Sequence, residues 1–347
     1  MTAPHCTTAS YNRQLLTNKF PSCFSSLHLF DSIAMSTETS SVVLDEYYYE
    51  PRADDVNLES ITSTEDNALI LEKLRNNDRS LYTLGIVGGD NEDEPEDFDF
   101  DVQEGDDVGW LGYFIGQSIW LESLSICYLP VDKSFSHCLA LNQSIQKLYI
   151  WKDIGKAGFQ TLAPFFQNTD TLEELLIYIS VISLECAQNV ALLLSQCQIK
   201  SLTRIIIDET DISDEGLEEI ARALRAQPQL EELNLTLTPT IMAGAPFDQR
   251  GYVALGNTMK NWTSPRLKKL VINAYDLDDD GLLALVEGMA NCVNLEHLHL
   301  DLGGSRSITA VGLKALSSLL FQSKKFCLQS LYVSDAGIGR EGMITLA

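Results

Sequence analysis

The sequence predicts an α/β fold: a right-handed solenoid with a parallel concave sheet, helices on the convex side, and about nine repeats. A motif of the form L-x-x-L-x-L occurs four times in succession between Leu202 and Leu300. A second motif, a glycine followed by apolar residues at helical spacing, follows most copies of the first. The steps from Leu202 to Leu230 and from Leu267 to Leu295 are both 28 residues long. Self-similarity at a fixed period is the signature of stacked repeats.

The first motif predicts nine strands. Its apolar residues alternate with polar ones, so one side of each strand is directed into a core and the other side faces away from it. The predicted strands begin at Leu81, Leu121, Ile145, Leu172, Leu202, Leu230, Leu267, Leu295 and Leu328.

The second motif predicts helices that pack on the core side of the sheet. Its apolar residues at positions i and i+3 lie on one face of a helix. Thr64 is a candidate N-cap for an opening helix over residues 65–76. The later motifs begin at Gly158, Gly216, Gly251, Gly281, Gly312 and Gly342.

The alternation of strand and full helix resembles the ribonuclease-inhibitor type of leucine-rich repeat over residues 63–347. This resemblance implies a non-enzymatic scaffold that binds a protein partner on the concave face and on the rim where strands lead into helices. A regulatory protein of the GTPase-activator type is the alternative that the resemblance suggests. One departure is that the Asn or Cys which the family carries after each strand is missing here, which predicts a weak side-chain ladder and irregular turns.

Four segments divide the chain. Residues 1–40 form either a disordered tail or a transit segment, because they are rich in Ser and Thr and poor in acids. Residues 41–62 are expected to be an acidic linker, and residues 63–347 the repeat domain. The repeat domain includes an acidic insertion at residues 90–107, and its last repeat is expected to be incomplete.

The charge of the chain limits its partners. Twenty-four Lys and Arg against forty-nine Asp and Glu give a formal net charge of −25. Such a charge repels phosphate backbones and anionic membranes, so we expect neither nucleic acid nor a membrane as partner, but a protein with a basic segment. The eight cysteines form no C-x-x-C pair, which favours buried thiols and a cytoplasmic location. The alternatives are the nucleus, or an organelle if residues 1–34 are a transit peptide.

The outward positions of the strand motifs predict a binding patch. The third position alternates in charge from Lys147 to Lys269, which predicts a ladder of ion pairs. The fifth and seventh positions carry large apolar side chains that no helix covers. Exposed aromatic clusters are common anchors of interfaces, although β-propensity and packing between neighbours are an alternative explanation. The predicted concave patch consists of Tyr149, Trp151, Leu176, Tyr178 and Ile206.

Two longer loops predict further contacts on the rim. Phe98 and Phe100 lie in the acidic insertion, which is either a disordered spacer or a segment that captures a basic partner. Ile241, Met242 and Phe247 lie in a second insertion after the strand that begins at Leu230. Binding loops on a rigid scaffold commonly occupy such positions.

Catalytic and metal chemistry have little support. His297, His299 and Asp301 alternate along one strand and share a face, which suits either a zinc site or an ordinary polar surface. The chain contains no G-x-S-x-G motif and no Walker loop. We therefore expect no enzyme, no catalytic residue, no metal and no cofactor.

Overall fold

The computed structural model describes residues 46–88, 99–196, 201–238, 249–262, 265–274, 277–302, 305, 307–322, 328–334 and 344. All of them belong to the second of the two units into which the chain divides, Val43–Ala347. The expectation for residues 1–40 lies outside the described residues.

Eleven strands of the described chain form one open, parallel sheet. In space their order is β2-β1-β3-β4-β5-β7-β8-β9-β10-β11, and β6 pairs with β7. All nine predicted strands are confirmed, whereas β2 and β6 were not predicted. The strands are β1 Thr83–Gly88, β2 Asp99–Val102, β3 Ser123–Ile126, β4 Lys147–Ile150, β5 Glu174–Ile177, β6 Val181–Ile182, β7 Arg204–Ile212, β8 Glu232–Thr238, β9 Lys269–Asn273, β10 His297–Asp301 and β11 Ser330–Ser334.

Helices alternate with these strands, and their buried apolar residues share one core with the leucines of the strand motifs. Packed helices need about 8–10 Å each, whereas strands need about 4.8 Å, so the helix-free face of the sheet is concave. The α/β solenoid fold is thereby confirmed. The helices are α1 Glu46–Tyr49, α2 Glu65–Arg75, α3 Val108–Gln117, α4 Lys133–Leu139, α5 Gly155–Asn168, α6 Leu184–Gln196, α7 Asp214–Ala223, α8 Arg250–Asn261, α9 Asp279–Met289 and α10 Ala310–Ser317, with short helical turns at Glu50–Arg52, Leu58–Ser60, Leu224–Ala226 and Ser318–Gln322.

The residues before α2 cover the first repeat. Tyr49 is only 1% exposed and stacks on Tyr113, with ring centroids 5.5 Å apart, and Leu58 and Ile61 belong to the same core. The expected acidic linker over residues 41–62 is therefore wrong for its described part. Short helical turns without a repeating apolar period gave no sequence signal for this packing.

The acidic insertion at residues 90–107 is also not wholly a loop. Its end forms β2, which pairs with β1 and is the first strand of the sheet in space. The side chain of buried Asn67 exchanges two hydrogen bonds with the backbone of Asp101, at 2.8 and 3.0 Å. This pairing satisfies backbone groups that an edge strand otherwise leaves open. Thr64 caps α2 by accepting from the Asn67 N–H, as predicted.

A hydroxyl ladder connects repeats in place of the missing Asn ladder. In three consecutive repeats, the residue before the strand motif donates its hydroxyl to the carbonyl of the first apolar residue of the preceding motif. The three bonds are Ser144 to Leu121 at 2.9 Å, Thr171 to Ile145 at 2.8 Å, and Ser201 to Leu172 at 2.7 Å. These hydroxyls stand before the strands, whereas the missing Asn or Cys would stand after them, so the expectation of a weak side-chain ladder in the later turns stays a prediction.

Carboxylates at helix starts make a second set of links. Asp214 accepts a hydrogen bond from the Gly251 N–H of the next helix at 3.1 Å, and Asp279 accepts from the Gly312 N–H at 3.0 Å. Burial by itself would raise the pKa of the Asp279 carboxyl. Hydrogen bonds from Thr309 and Gly312 outweigh that effect and lower the pKa below its usual value. These acids therefore hold neighbouring helices together as well as favouring their own helix start.

The four described cysteines form no disulfide, and three of them, Cys138, Cys186 and Cys292, are buried as predicted. Burial is the main cause that raises the pKa of the Cys186 and Cys292 thiols to about 12. Among the described helices, none has both the length and the apolar character that a bilayer crossing requires.

Candidate protein-binding surface

The third positions of the nine strand motifs form one continuous row across the concave face, from Thr83 to Ser330. Within this row the predicted ion-pair ladder is present from Glu174 to Lys269. Arg204 binds Glu174 on one side and Glu232 on the other, the latter with Nε 3.0 Å from Oε2. The Nζ of Lys269 lies 2.7 Å from Oε1 of Glu232.

Glu232 occupies the centre of this ladder, between two cations. Burial by itself would raise the pKa of the Glu232 carboxyl. The hydrogen bond from Lys269 and the charges of Arg204 and Lys269 outweigh that effect and lower the pKa. The ladder therefore forms a row of charged side chains on the concave face, beside the apolar side chains at the fifth positions of the strand motifs.

The concave patch lies directly beside this ladder. Tyr149 pairs with Leu176, and Leu176 pairs with Ile206, so three fifth-position side chains form a contiguous row over β4, β5 and β7. All three are half-buried, as is Tyr178, and Trp151 is 40% exposed. The five side chains thus face the same side of the sheet, away from the helices.

Trp151 and Tyr178 form the exposed end of the patch. Their ring centroids are 5.3 Å apart and their planes are tilted by 56°. The Trp151 indole N–H donates to the Ser125 hydroxyl at 2.6 Å, which holds the ring over β3. Burial and the neighbouring Glu174 carboxylate raise the pKa of the Tyr149 hydroxyl, so it remains neutral at physiological pH.

Of the five predicted rim residues, only Phe100 belongs to the described part of the chain. Phe100 lies in β2 and is 1% exposed, so its predicted place in a rim loop is wrong. The apolar side chain is buried because Phe100 pairs with Ile86 of β1 and enters the core. Phe98, Ile241, Met242 and Phe247 lie outside the described residues.

The histidine-bearing strand β10 makes ordinary surface contacts. His297 Nδ1 lies 2.9 Å from the Ser330 hydroxyl, and His299 packs on Tyr332 with ring centroids 4.3 Å apart. In the described part of the chain, no group of three or more His, Cys, Asp or Glu is arranged to hold a metal ion.

Sequence analysis missed two exposed apolar side chains that lie within the described strands. Tyr332, 55% exposed, occupies the fifth position of the last strand motif, the same position as Tyr149. Val181, 60% exposed, lies in the unpredicted strand β6. The three-residue spacing between buried Ile179 and Ile182 breaks the strand alternation and signals an irregularity there.

The comparisons with known proteins agree with this architecture. The family model described as Leucine Rich repeat matches residues 198–221 and 324–347. The first match includes β7 and most of α7, and the second includes β11. A search of curated proteins gave no match. The two matched segments and the parallel sheet of repeating strands and helices together show that this chain carries leucine-rich repeats and has a leucine-rich-repeat solenoid fold.

Proposed function

We propose that this protein is a non-enzymatic interaction scaffold that binds a protein partner through its concave face and its strand-to-helix rim. The observation that carries the proposal is the partly exposed concave patch. A water-exposed tryptophan beside half-buried tyrosines and aliphatic side chains has the composition of an interface anchor, since Trp and Tyr dominate binding energy at protein interfaces. Regular hydrogen-bonded strands hold these side chains in place before a partner arrives.

The repeat subtype belongs to the same proposal. Apart from the two-residue β6, the described strands have four to nine residues, and they alternate with helices that reach 14 residues in α5 and 13 in α6. This alternation supports the ribonuclease-inhibitor type. A cytoplasmic location is supported by the described cysteines, which are thiols and not disulfides.

Contributions from the rim are proposed on sequence grounds alone. Ile241, Met242 and Phe247 in one insertion, and Phe98 in the other, keep their proposed role as secondary contacts. Phe100 does not, because a side chain with 1% exposure in the core offers no surface to a partner.

The test uses the full chain and two variants. Trp151 and Tyr178 are replaced together by Ala, and the matched control is Tyr82→Ala, which removes an aromatic side chain that is 57% exposed outside the patch. A partner is captured with the wild type, identified by mass spectrometry, purified, and titrated against all three proteins. We expect the double variant to bind at least about tenfold more weakly, because anchor residues cost about 2 kcal/mol or more when truncated.

Two results would change the proposal. Equal affinity of the partner for all three proteins would remove the concave patch as the binding surface. If the partner is a small GTPase whose GTP hydrolysis accelerates on binding, the GTPase-activator alternative replaces the plain scaffold.

A further inference from the structure

Strand β7 contains a bulge next to the concave patch. Ile207 pairs with Leu235 of β8, but Thr210 pairs with Leu237, so β7 has one more residue than β8 over this interval. Thr210 is fully buried at 0% exposure and Ile212 is buried at 2%. A bulge of this kind changes the direction in which the following side chains point.

Because of this shift, Asp211 lies on the same concave face of β7 as Asp208. Asp208 precedes the extra residue and Asp211 follows it. Both side chains are partly exposed, and each aspartate comes directly after a buried residue, Ile207 or Thr210. Without the bulge, Asp211 would be in phase with Ile207 and would point into the core.

These carboxylates lie beside the exposed apolar side chains of the neighbouring strands. Ile177 pairs with Ile207, and Val181 pairs with Asp211. The partners in both pairs are thirty residues apart in the sequence. The register is therefore the same before and after Tyr178, which lies between Ile177 and Val181. By this register, Tyr178, the first residue after β5, and Asp208 occupy equivalent positions on neighbouring segments of the chain. Trp151, Tyr178, Val181, Asp208 and Asp211 together define what we name the aromatic–acidic corner.

We propose that the aromatic–acidic corner binds an arginine side chain of an extended, basic segment of the protein partner. This inference rests on the proposed function and names the chemistry of its partner. A guanidinium stacks flat on Trp and Tyr rings and at the same time donates paired hydrogen bonds to a carboxylate. The corner supplies both kinds of surface side by side, with the tilted ring pair on one side and Asp208 on the other.

Charge favours a cationic occupant over an apolar one. The chain carries a formal charge of −25, which steers basic segments towards it. Arg204 lies on the same strand as Asp208 but is already paired with Glu174 and Glu232. An apolar side chain placed here would instead remove water from the Asp208 carboxylate without supplying an opposite charge.

The indole of Trp151 argues against a proline-rich occupant. Grooves that bind such segments combine aromatic walls with a donor for the backbone carbonyls of the peptide. The Trp151 N–H is already donated to Ser125 at 2.6 Å, so it is not available for that purpose. The ring faces remain as the recognition surface, which suits a guanidinium.

The probes for the test are synthetic eleven-residue peptides of Gly and Ser. Each carries three test residues of one kind at alternate positions, because alternate side chains of an extended peptide lie on the same side. These three residues are arginine, lysine or citrulline, and a fourth peptide is proline-rich. Binding to the full chain is followed by the indole ¹⁵N–¹H signal of Trp151, which is assigned with Trp151→Phe. The variants are Asp208→Asn and Tyr178→Leu, with Asp280→Asn, an exposed acid in α9, as the control of equal charge change.

We expect the arginine peptide to shift the Trp151 signal and to bind at least tenfold more tightly than the citrulline peptide. Asp208→Asn and Tyr178→Leu should each weaken it at least fivefold, and Asp280→Asn less than twofold. Equal binding of the lysine peptide, stronger binding of the proline-rich one, unchanged binding to Asp208→Asn, or no response of Trp151 would each overturn the assignment.

The same variants separate this inference from the proposed function. Suppose that a purified partner loses affinity with the Trp151 and Tyr178 replacements but binds Asp208→Asn as it binds wild type. The concave patch then remains the binding surface, and only the arginine site is wrong.

Discussion

Replacing Glu232 by Gln tests whether the ion-pair ladder stabilises the concave face. Glu232 accepts from Lys269 at 2.7 Å and from Arg204 at 3.0 Å, and only 15% of its side chain is exposed. Fully exposed pairs contribute about 0.2–1 kcal/mol, and hydrogen bonds to charged groups in less exposed places about 1.5–3 kcal/mol. The two cations are about half exposed, so we assign about 1 kcal/mol to each contact. The variant should lose about 2 kcal/mol of unfolding free energy at pH 7.

The pH dependence has a definite sign. Because the folded pKa of the Glu232 carboxyl is lowered, its contribution is complete above the unfolded value of about 4.3 and disappears as the pH falls through the folded pKa. The difference in unfolding free energy between wild type and Glu232→Gln should therefore shrink as the pH is lowered below about 4.3. Urea denaturation at several pH values measures it.

The control for this prediction is Glu287→Gln. Glu287 pairs with Lys260 at 2.8 Å, but both side chains are more than half exposed. This variant should change stability by less than about 0.5 kcal/mol. A Glu232→Gln effect as small as that of the control, or one that stays constant down to pH 3, would refute the reasoning.

Three further predictions concern packing. Gly288→Ala should lower the unfolding free energy by about 1–3 kcal/mol in urea titrations, because its Cβ would lie 2.3 Å from the Gly256 carbonyl oxygen; a stabilised variant would contradict this. Tyr49→Ala, which empties a site with 1% exposure, should cost about 3–5 kcal/mol and expose residues 46–62 to limited proteolysis before the repeats; an unchanged cleavage pattern would count against the cap. Ser201→Ala should cost about 1 kcal/mol by removing the bond to the Leu172 carbonyl, and Ser201→Thr should retain most of it; equal losses in both variants would contradict the ladder.

The strands could be predicted because each motif fixes its own alternation. Leu84 and Ile86, like the matching residues of the motifs up to Leu298 and Leu300, had to face the same core once one register was known. The concave patch followed from the same register, since Tyr149 and Leu176 occupy equal positions in neighbouring motifs. Local periodicity is therefore sufficient for the regular part of the array and for the direction of its side chains.

The rest depended on contacts that periodicity does not describe. Phe100 is an apolar residue between acids, and its burial follows from pairing with Ile86 at the edge of the sheet, which no local pattern encodes. Tyr49 lies in a short helical turn and is buried against a helix about sixty residues away in the chain. The bulge in β7 has a visible signal, because buried Ile212 follows buried Ile207 at an interval of five positions and an odd interval breaks strand alternation.

A repeat array allows binding and stability to be altered separately. Each repeat contacts only its neighbours, so stability is close to a sum of local terms. The Trp151 ring lies on the helix-free face, and its direct partners are Ser125 and Tyr178. Gly288, by contrast, packs between two helices on the other face. Substitutions at Trp151 should thus change affinity at nearly constant unfolding free energy, and Gly288→Ala the reverse. If substitution of Trp151 lowered the unfolding free energy as much as it lowered the affinity, the concave patch would be part of the structural core and not a preformed binding surface.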